Sequence, residues 1–459
     1  MRSAEALFDE GCLHLAAQDT EAAETCFRQA IALHPHLGEA HANLALVLDQ
    51  RGRSEEAEAA YRRAIALRPA IAETHINLGS LLNQQRRFDE AGECYLYALE
   101  LAPESAAVWC NLGVWHLCQK QEGPAEECYR RALTLEPSHA KASFNLSYLL
   151  LRQGRFDEGW RRLDARDWYA GLAAHFECPR WQGEPLTGKS LVIGFEAGHG
   201  DMIQFARYAA VLKAKGAEHI TLLCHPALKA LFSTVIGVDT VLAFNEDVPR
   251  SGWDFWTPPL SIPRHCHTRV DNIPTAIPYL YAEPNKRAKW EHQLAHPLSL
   301  QTSHGNPSLK VGLVWRGNPQ FENDSDRSIR DTSLLQPLLE LPGVQCFSLQ
   351  PGIDEAADPS LQSVIHLGKH ILDFTDTAAI LVNLDLLISV DTAAAHLAGA
   401  LGIPCWVLLP DYLTDWRWMK DRADSPWYPR TMRLFRQPEA GDWESVISVV
   451  VKSLVDKKA

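Results

Sequence analysis

The chain has no long run of basic side chains, no CxxC pair and no apolar stretch long enough to span a membrane. The first absence, with 57 acidic against 44 basic residues, argues against a phosphate-backbone reader and so against a nucleic-acid partner. The second leaves eleven cysteines without zinc-type spacing. The tripeptide HCH at 265–267 supplies too few ligands for a metal on its own. Cys26, Cys94 and Cys128 are separated by multiples of 34 residues and read as small buried apolar residues in a reducing compartment. The opening residues lack the charged start and apolar core of a signal peptide, so a cytoplasmic location is expected.

What the first third does contain is a period of 34. Pro35, Pro69, Pro103 and Pro137 keep that step, as do Ala23, Ala57, Ala91 and Ala125. So do Ala30, Ala64, Ala98 and Ala132, and so do Phe27, Tyr61, Tyr95 and Tyr129. Small residues let paired helices approach, the aromatic fills the remaining gap, and proline stops the second helix. A unit this small cannot bury its apolar face alone, so the units must stack. Over residues 4–137 the pattern resembles the tetratricopeptide (TPR) family. A divergent fifth unit carrying Asn145, Gly154 and Phe156 extends the predicted solenoid to 1–170 as a cap.

Asn43, Asn77, Asn111 and Asn145 keep the same period, with Asp9 in the first unit. An amide column can hold a peptide backbone without reading side chains. It is similar to the asparagine ladder of the protein O-linked N-acetylglucosamine transferases, which implies a polypeptide in the groove. Local helix packing is the competing explanation.

After Lys189 the texture changes. LVIGF, HITLLC, KVGLVW and LDLLISV are apolar runs bounded by turn residues, as in strands of buried parallel sheets. HPLSLQTSHGNPS at 296–308 reads as a linker and divides an α/β lobe at 188–295 from another at 308–459, the latter ending in a helix. Two doubly wound lobes place ligands at the carboxyl ends of their strands. In the second lobe, Asp391, Thr392, Ala393, Ala394 and His396 follow a strand and open a small-residue helix, which suits a diphosphate. The other reading makes Asp391 an N-cap and His396 a packing residue.

VDTAAAHLAGALGIP is similar to the donor-binding segment of heptosyltransferase-like GT-B glycosyltransferases. Gly200-Asp201-Met202-Ile203, at the end of the first lobe's first strand, matches that family's other mark. Over about 190–435 the likeness holds, and the whole chain resembles bacterial TPR–glycosyltransferase fusions. Ala393 departs from the family's usual glycine, and Arg327 is what this chain offers near its lysine-bearing phosphate contact. The resemblance implies a multidomain chain, an all-α superhelix followed by an α/β region of two Rossmann-like lobes. It also implies an inverting transfer with no metal and no cofactor beyond the nucleotide-sugar donor.

In that chemistry a carboxylate or imidazole takes the acceptor's proton. Asp201 is the candidate base, His199 its rival, and Gly198 and Gly200 are expected to admit a tight turn and a close ligand. Asp201 as a helix cap is the alternative. Arg327, Arg316 and His396 are candidates to balance the leaving phosphate. Ser348 and Gln350, after the strand VQCF, are candidates for phosphate or ribose, with a turn role as the alternative. Asp324-Ser325-Asp326 has the DxD form of another glycosyltransferase fold, but it lies in a GT-B-like lobe and is not expected to hold a metal. Transfer to a protein hydroxyl leads. Transfer to a saccharide or lipid-linked glycan, and a non-catalytic TPR scaffold with a degenerate GT-B domain, are the alternatives.

Overall fold

The computed structural model describes residues 2–166, 168–295, 309–321, 323–351 and 358–458, and the predicted linker at 296–308 lies outside them. The chain divides into two compact units between Leu149 and Leu150. The division falls inside the fifth repeat, whose second helix is Phe156–Leu163.

The first unit is a series of helix pairs: Ala4–Ala16 with Thr20–Leu33, Gly38–Gln50 with Ser54–Leu67, Ala72–Gln84 with Phe88–Leu101, and Ala106–Cys118 with Glu122–Leu135. Each second helix stops two residues before its proline, because proline disfavours helical backbone in the residue ahead of it. Phe27, Tyr61, Tyr95 and Tyr129 are all buried. The rings of Phe27, Tyr95 and Tyr129 lie over Gly11, Gly79 and Gly113, and Ala45 holds the matching position in the second repeat. A Cβ on Gly11, Gly79 or Gly113 would come within 2.6, 2.8 or 2.4 Å of the ring. The first helices of successive repeats also pack on one another, forming a continuous inner row.

A second periodic feature is electrostatic. Glu24 accepts from Arg28, Arg51 and Arg53, while Arg53 also pairs with Glu56. One repeat later Glu58 pairs with Arg62 and Arg87, and Arg87 with Glu90. These carboxylates tie adjacent repeats through side chains at fixed spacing.

The second unit contains two parallel sheets. The first comprises β1 (Lys189–Ile193), β2 (Ala217–Cys224), β3 (Thr240–Ala243) and β4 (Phe255–Thr257), in the order β3-β2-β1-β4. The second comprises β5 (Leu309–Val314), β6 (Val344–Ser348), β7 (Ile365–His366), β8 (Leu386–Val390), β9 (Cys405–Leu409) and β10 (Met432–Arg436), in the order β10-β9-β8-β5-β6-β7. Every pairing is parallel, and β8 and β9 are buried along their whole length, which explains their unbroken apolar sequences. Strand order reverses between β1 and β4 and again between β5 and β8, so each sheet has one crevice where chains diverge.

Two boundaries differ from the sequence reading. Helix Pro284–Ala295, assigned to the first lobe, packs on helix Phe374–Leu381 beside the second sheet. Trp290 Nε1 donates to Asp376 Oδ1 at 3.1 Å, and Lys286 Nζ donates to Asp373 Oδ1 at 3.2 Å. The stretch after GHGD is two short helices, His199–Phe205 and Tyr208–Ala214. Buried Arg207 stands between them, its guanidinium donating to the carbonyls of Gln204, Pro274 and Trp427. The terminal helix Trp443–Lys458 packs against β10 and the helix Gln336–Leu339.

Candidate functional site

Beyond β1 the chain turns through Ala197, whose φ of 59° is unusual for a residue with a side chain. It then enters helix His199–Phe205. Asp201 occupies the third position of that helix, and its Oδ2 accepts from the Gly198 N–H at 2.8 Å. This is one half of a capping box, so the capping role is real. Gly198 and Gly200 do not have positive φ. A Cβ on Gly200 would lie 2.8 Å from His396 Cδ2 and 3.6 Å from the Ala393 Cα. The close approach this glycine permits in the structure is that of helix Ala393–Leu401.

The other oxygen of Asp201 accepts from Arg417 Nη2. Arg417 is 7% exposed and Asp201 21%. The same guanidinium donates to Gln204 Oε1 at 2.7 Å and to both oxygens of Asp415 at 3.0 Å, and it lies 4.4 Å from the Trp416 ring. Asp201 is thus oriented from two sides and still reaches solvent.

His199 lies between the His225 ring, 4.4 Å away, and that of Phe374 at 5.3 Å. Burial, aided by His225, lowers its pKa from the usual imidazole range. Its Nε2 is buried without a hydrogen-bond partner. The neutral ring is available as a base in charge terms, but that nitrogen is closed to solvent.

At the end of β8, Thr392 rather than Asp391 is the N-cap of helix Ala393–Leu401, and its side chain makes no cap bond. Its Oγ1 meets Ser389 Oγ at 2.9 Å instead. The first amides of the helix, those of Ala393 and Ala394, consequently have no side-chain acceptor, and the dipole there favours an anion. Burial, together with the Asp415 carboxylate, pushes Asp391 up to about 6. His396 is a packing residue: it is buried, its Nδ1 lies 3.0 Å from the Tyr428 hydroxyl, and its ring stacks on Trp418 at 5.2 Å. Burial, with Arg417 and Arg207, holds it well below the usual range and therefore neutral.

The remaining candidates divide. Arg327 stacks over Phe321 at 4.3 Å and meets Asp324 Oδ1 at 3.4 Å, a long contact that leaves much of the guanidinium uncommitted. Arg316 is turned toward the Arg330 carbonyl, to which Nη2 donates at 3.0 Å. Gln350 brackets the backbone of Arg316, accepting from its N–H at 3.1 Å and donating to its carbonyl at 3.2 Å. Buried Ser348 accepts from the Gln350 N–H at 3.2 Å. Ser348 and Gln350 therefore hold a turn. Asp324, the first carboxylate of the DxD tripeptide, accepts from Ser328 Oγ at 2.8 Å and is structural.

In the solenoid, Asn43 Nδ2 donates to Cys12 Sγ at 3.4 Å, Asn145 Nδ2 to Cys110 Sγ at 3.9 Å, and Asn111 Nδ2 to the Ala107 carbonyl at 2.8 Å. These three amides serve helix packing. Asn77 makes no hydrogen bond among the described residues.

Three participants were not found from sequence. Arg417 and Asp415 belong to DWRWMKD, whose spacing gives no local sign of Asp201 more than 200 residues away. Glu196, immediately beyond β1, is fully buried against Arg166, whose Nη2 donates to Glu196 Oε2 at 3.0 Å. The signal for that pair was an acidic residue set in an apolar strand end, LVIGFE.

Comparison with known proteins adds to this geometry. Residues 8–72 and 125–174, and residues 70–138, match tetratricopeptide-repeat families. Over 340 residues the chain is 27% identical to Protein FlbA of Caulobacter vibrioides, taking in 68% of this chain and 54% of that protein. The chain thus spans about half the length of that relative. The covered share exceeds the repeat region, so the likeness continues into the α/β region. Pseudomonas aeruginosa pilF is 28% identical over 35% of this chain and 74% of its own, with a TM-score of 0.33. A thermophilic TPR protein of Thermus thermophilus is 21% identical over 38% of this chain and 100% of its own, with a TM-score of 0.34. Among the described residues no helix is long and apolar enough to cross a membrane. The N-terminal region is a solenoid of tetratricopeptide repeats, and an α/β region built on two parallel sheets follows it.

Proposed function

We propose that the C-terminal unit is an inverting, metal-independent glycosyltransferase of the GT-B type. It moves a sugar from a nucleotide-sugar donor to a hydroxyl of a polypeptide held by the repeats. The observation that carries this reading is the meeting of helices His199–Phe205 and Ala393–Leu401, one from each sheet, with an oriented carboxylate on the first and uncapped amides on the second.

Asp201 accepts the acceptor hydroxyl's proton as that oxygen bonds to the anomeric carbon. The bond from that carbon to the diphosphate oxygen breaks on the opposite face. Charge developing on the leaving diphosphate is met by the amides of Ala393 and Ala394 and by Arg327. Arg417 positions Asp201. Solvent access favours Asp201 over His199 as the group that touches the acceptor, since the Nε2 of His199 is buried.

The test is to incubate the full chain with a panel of nucleoside-diphosphate sugars and cellular protein acceptors, following diphosphate release and acceptor mass. A sugar-sized mass gain, lost in Asp201→Asn and retained in His199→Gln, is the expected result. Transfer only to free saccharides would overturn the protein acceptor. Absence of both nucleotide binding and transfer would overturn the enzyme.

A further inference from the structure

The first repeat departs from the second and third at two apolar positions. Glu10 stands where the next three repeats have Leu44, Leu78 and Leu112, and His14 where the second and third have Leu48 and Leu82, the fourth having His116. Those leucines are all buried. Glu10 and His14 lie one turn apart on helix Ala4–Ala16 and so share a face. The paired helix Thr20–Leu33 brings Cys26 to that face, and one ligand atom from each of the three lies within 4.8 Å of the others. Among the described residues no other group of His, Cys, Asp or Glu meets this condition.

We propose that Glu10, His14 and Cys26 form a divalent-cation site of the zinc type that fastens the two helices of the first repeat. A sulfur, an imidazole nitrogen and a carboxylate oxygen suit zinc, whereas magnesium and calcium take oxygen ligands. Asp19 lies beside the imidazole, its Oδ2 3.7 Å from His14 Nδ1 and its Oδ1 fixed by the Ala22 N–H at 3.1 Å. Without a cation, Arg2 donates to Glu10, and a cation bound there would displace the arginine.

The test uses the full chain, stripped with a chelator and titrated with cobalt(II), then with zinc(II) as competitor. The expected result is saturable binding of one ion with a thiolate-to-cobalt charge-transfer band, displaced by zinc. Cys26→Ser should abolish the band. Glu10→Leu and His14→Leu each introduce the residue that the second and third repeats carry, so they should fold. Each should weaken binding at least about tenfold. A band that survives in Cys26→Ser, or equal affinity in the wild type and both leucine variants, would overturn the site.

Discussion

Asp201 and Arg417, 216 residues apart in sequence, form an ion pair that ties the end of the first sheet's leading strand to a loop of the second sheet's lobe. Arg417 also neutralises Asp415. Arg417→Ala would leave Asp201 and Asp415 without their shared counter-ion. The expected loss of stability is about 3 kcal/mol. Asp201→Asn keeps an acceptor for the Gly198 N–H and should cost less than half as much. Urea unfolding followed by tryptophan fluorescence separates the two, and equal losses would refute the asymmetry.

Gly200→Ala places a methyl 2.8 Å from a His396 ring that is fixed between Trp418 and Tyr428. Overpacking of this kind costs about 1–3 kcal/mol. Gly171 provides the control: it is helical and exposed, with nothing within 4 Å of a new Cβ. Gly171→Ala should stabilise by about 0.5–1 kcal/mol. Melting temperatures should therefore move in opposite directions for the same chemical change.

Asp391 gives the C-terminal unit a pH dependence of defined sign. Its folded pKa is raised to about 6, so between the ordinary carboxylate range and pH 6 the folded state holds a proton that the unfolded state has released. Stability from this group is present at low pH and is lost as pH rises through that window. Asp391→Asn should flatten the dependence between about pH 4 and 6 in thermal scans. If the wild type and variant scan in parallel there, the Asp391 carboxyl is not the source.

The solenoid should respond in the opposite sense. Burial opposes ionisation of Glu24, but hydrogen bonds from Arg28 and Arg53 hold its pKa below the ordinary value. Hydrogen bonds from arginines do the same for Glu56 and Glu90. Their contribution is present above the ordinary glutamate pKa and is lost as pH falls through the lowered values. Glu24→Gln should lower the solenoid's stability by about 1–3 kcal/mol near neutrality and blunt its acid sensitivity. Helical ellipticity during acid titration provides the readout.

The 34-residue units were legible because each one repeats the same local packing: an aromatic over a small residue, and proline beyond the second helix. The strands were legible because burial on both faces leaves an uninterrupted apolar run. Helix Pro284–Ala295 was harder to place. Its side chains show that one face is buried, and Asp376 and Asp373, reached by Trp290 and Lys286, show against which sheet. The four asparagines illustrate the same limit, since their period located them but did not reveal that Cys12, Cys110 and the Ala107 carbonyl receive three of their amides.

Within the candidate site, GHGD and DTAAAH marked two strand ends from sequence alone, because glycines, alanines and a carboxylate beyond an apolar run are a local pattern. What each residue does there was decided by neighbours from distant parts of the chain. Gly200 makes room for His396, Asp201 is held by Arg417, and Glu10 faces Cys26 across a helix pair. Side-chain periodicity records which surface leaves water. The identity of the surface that replaces water depends on long-range closure of the fold, and that is a property of the tertiary structure.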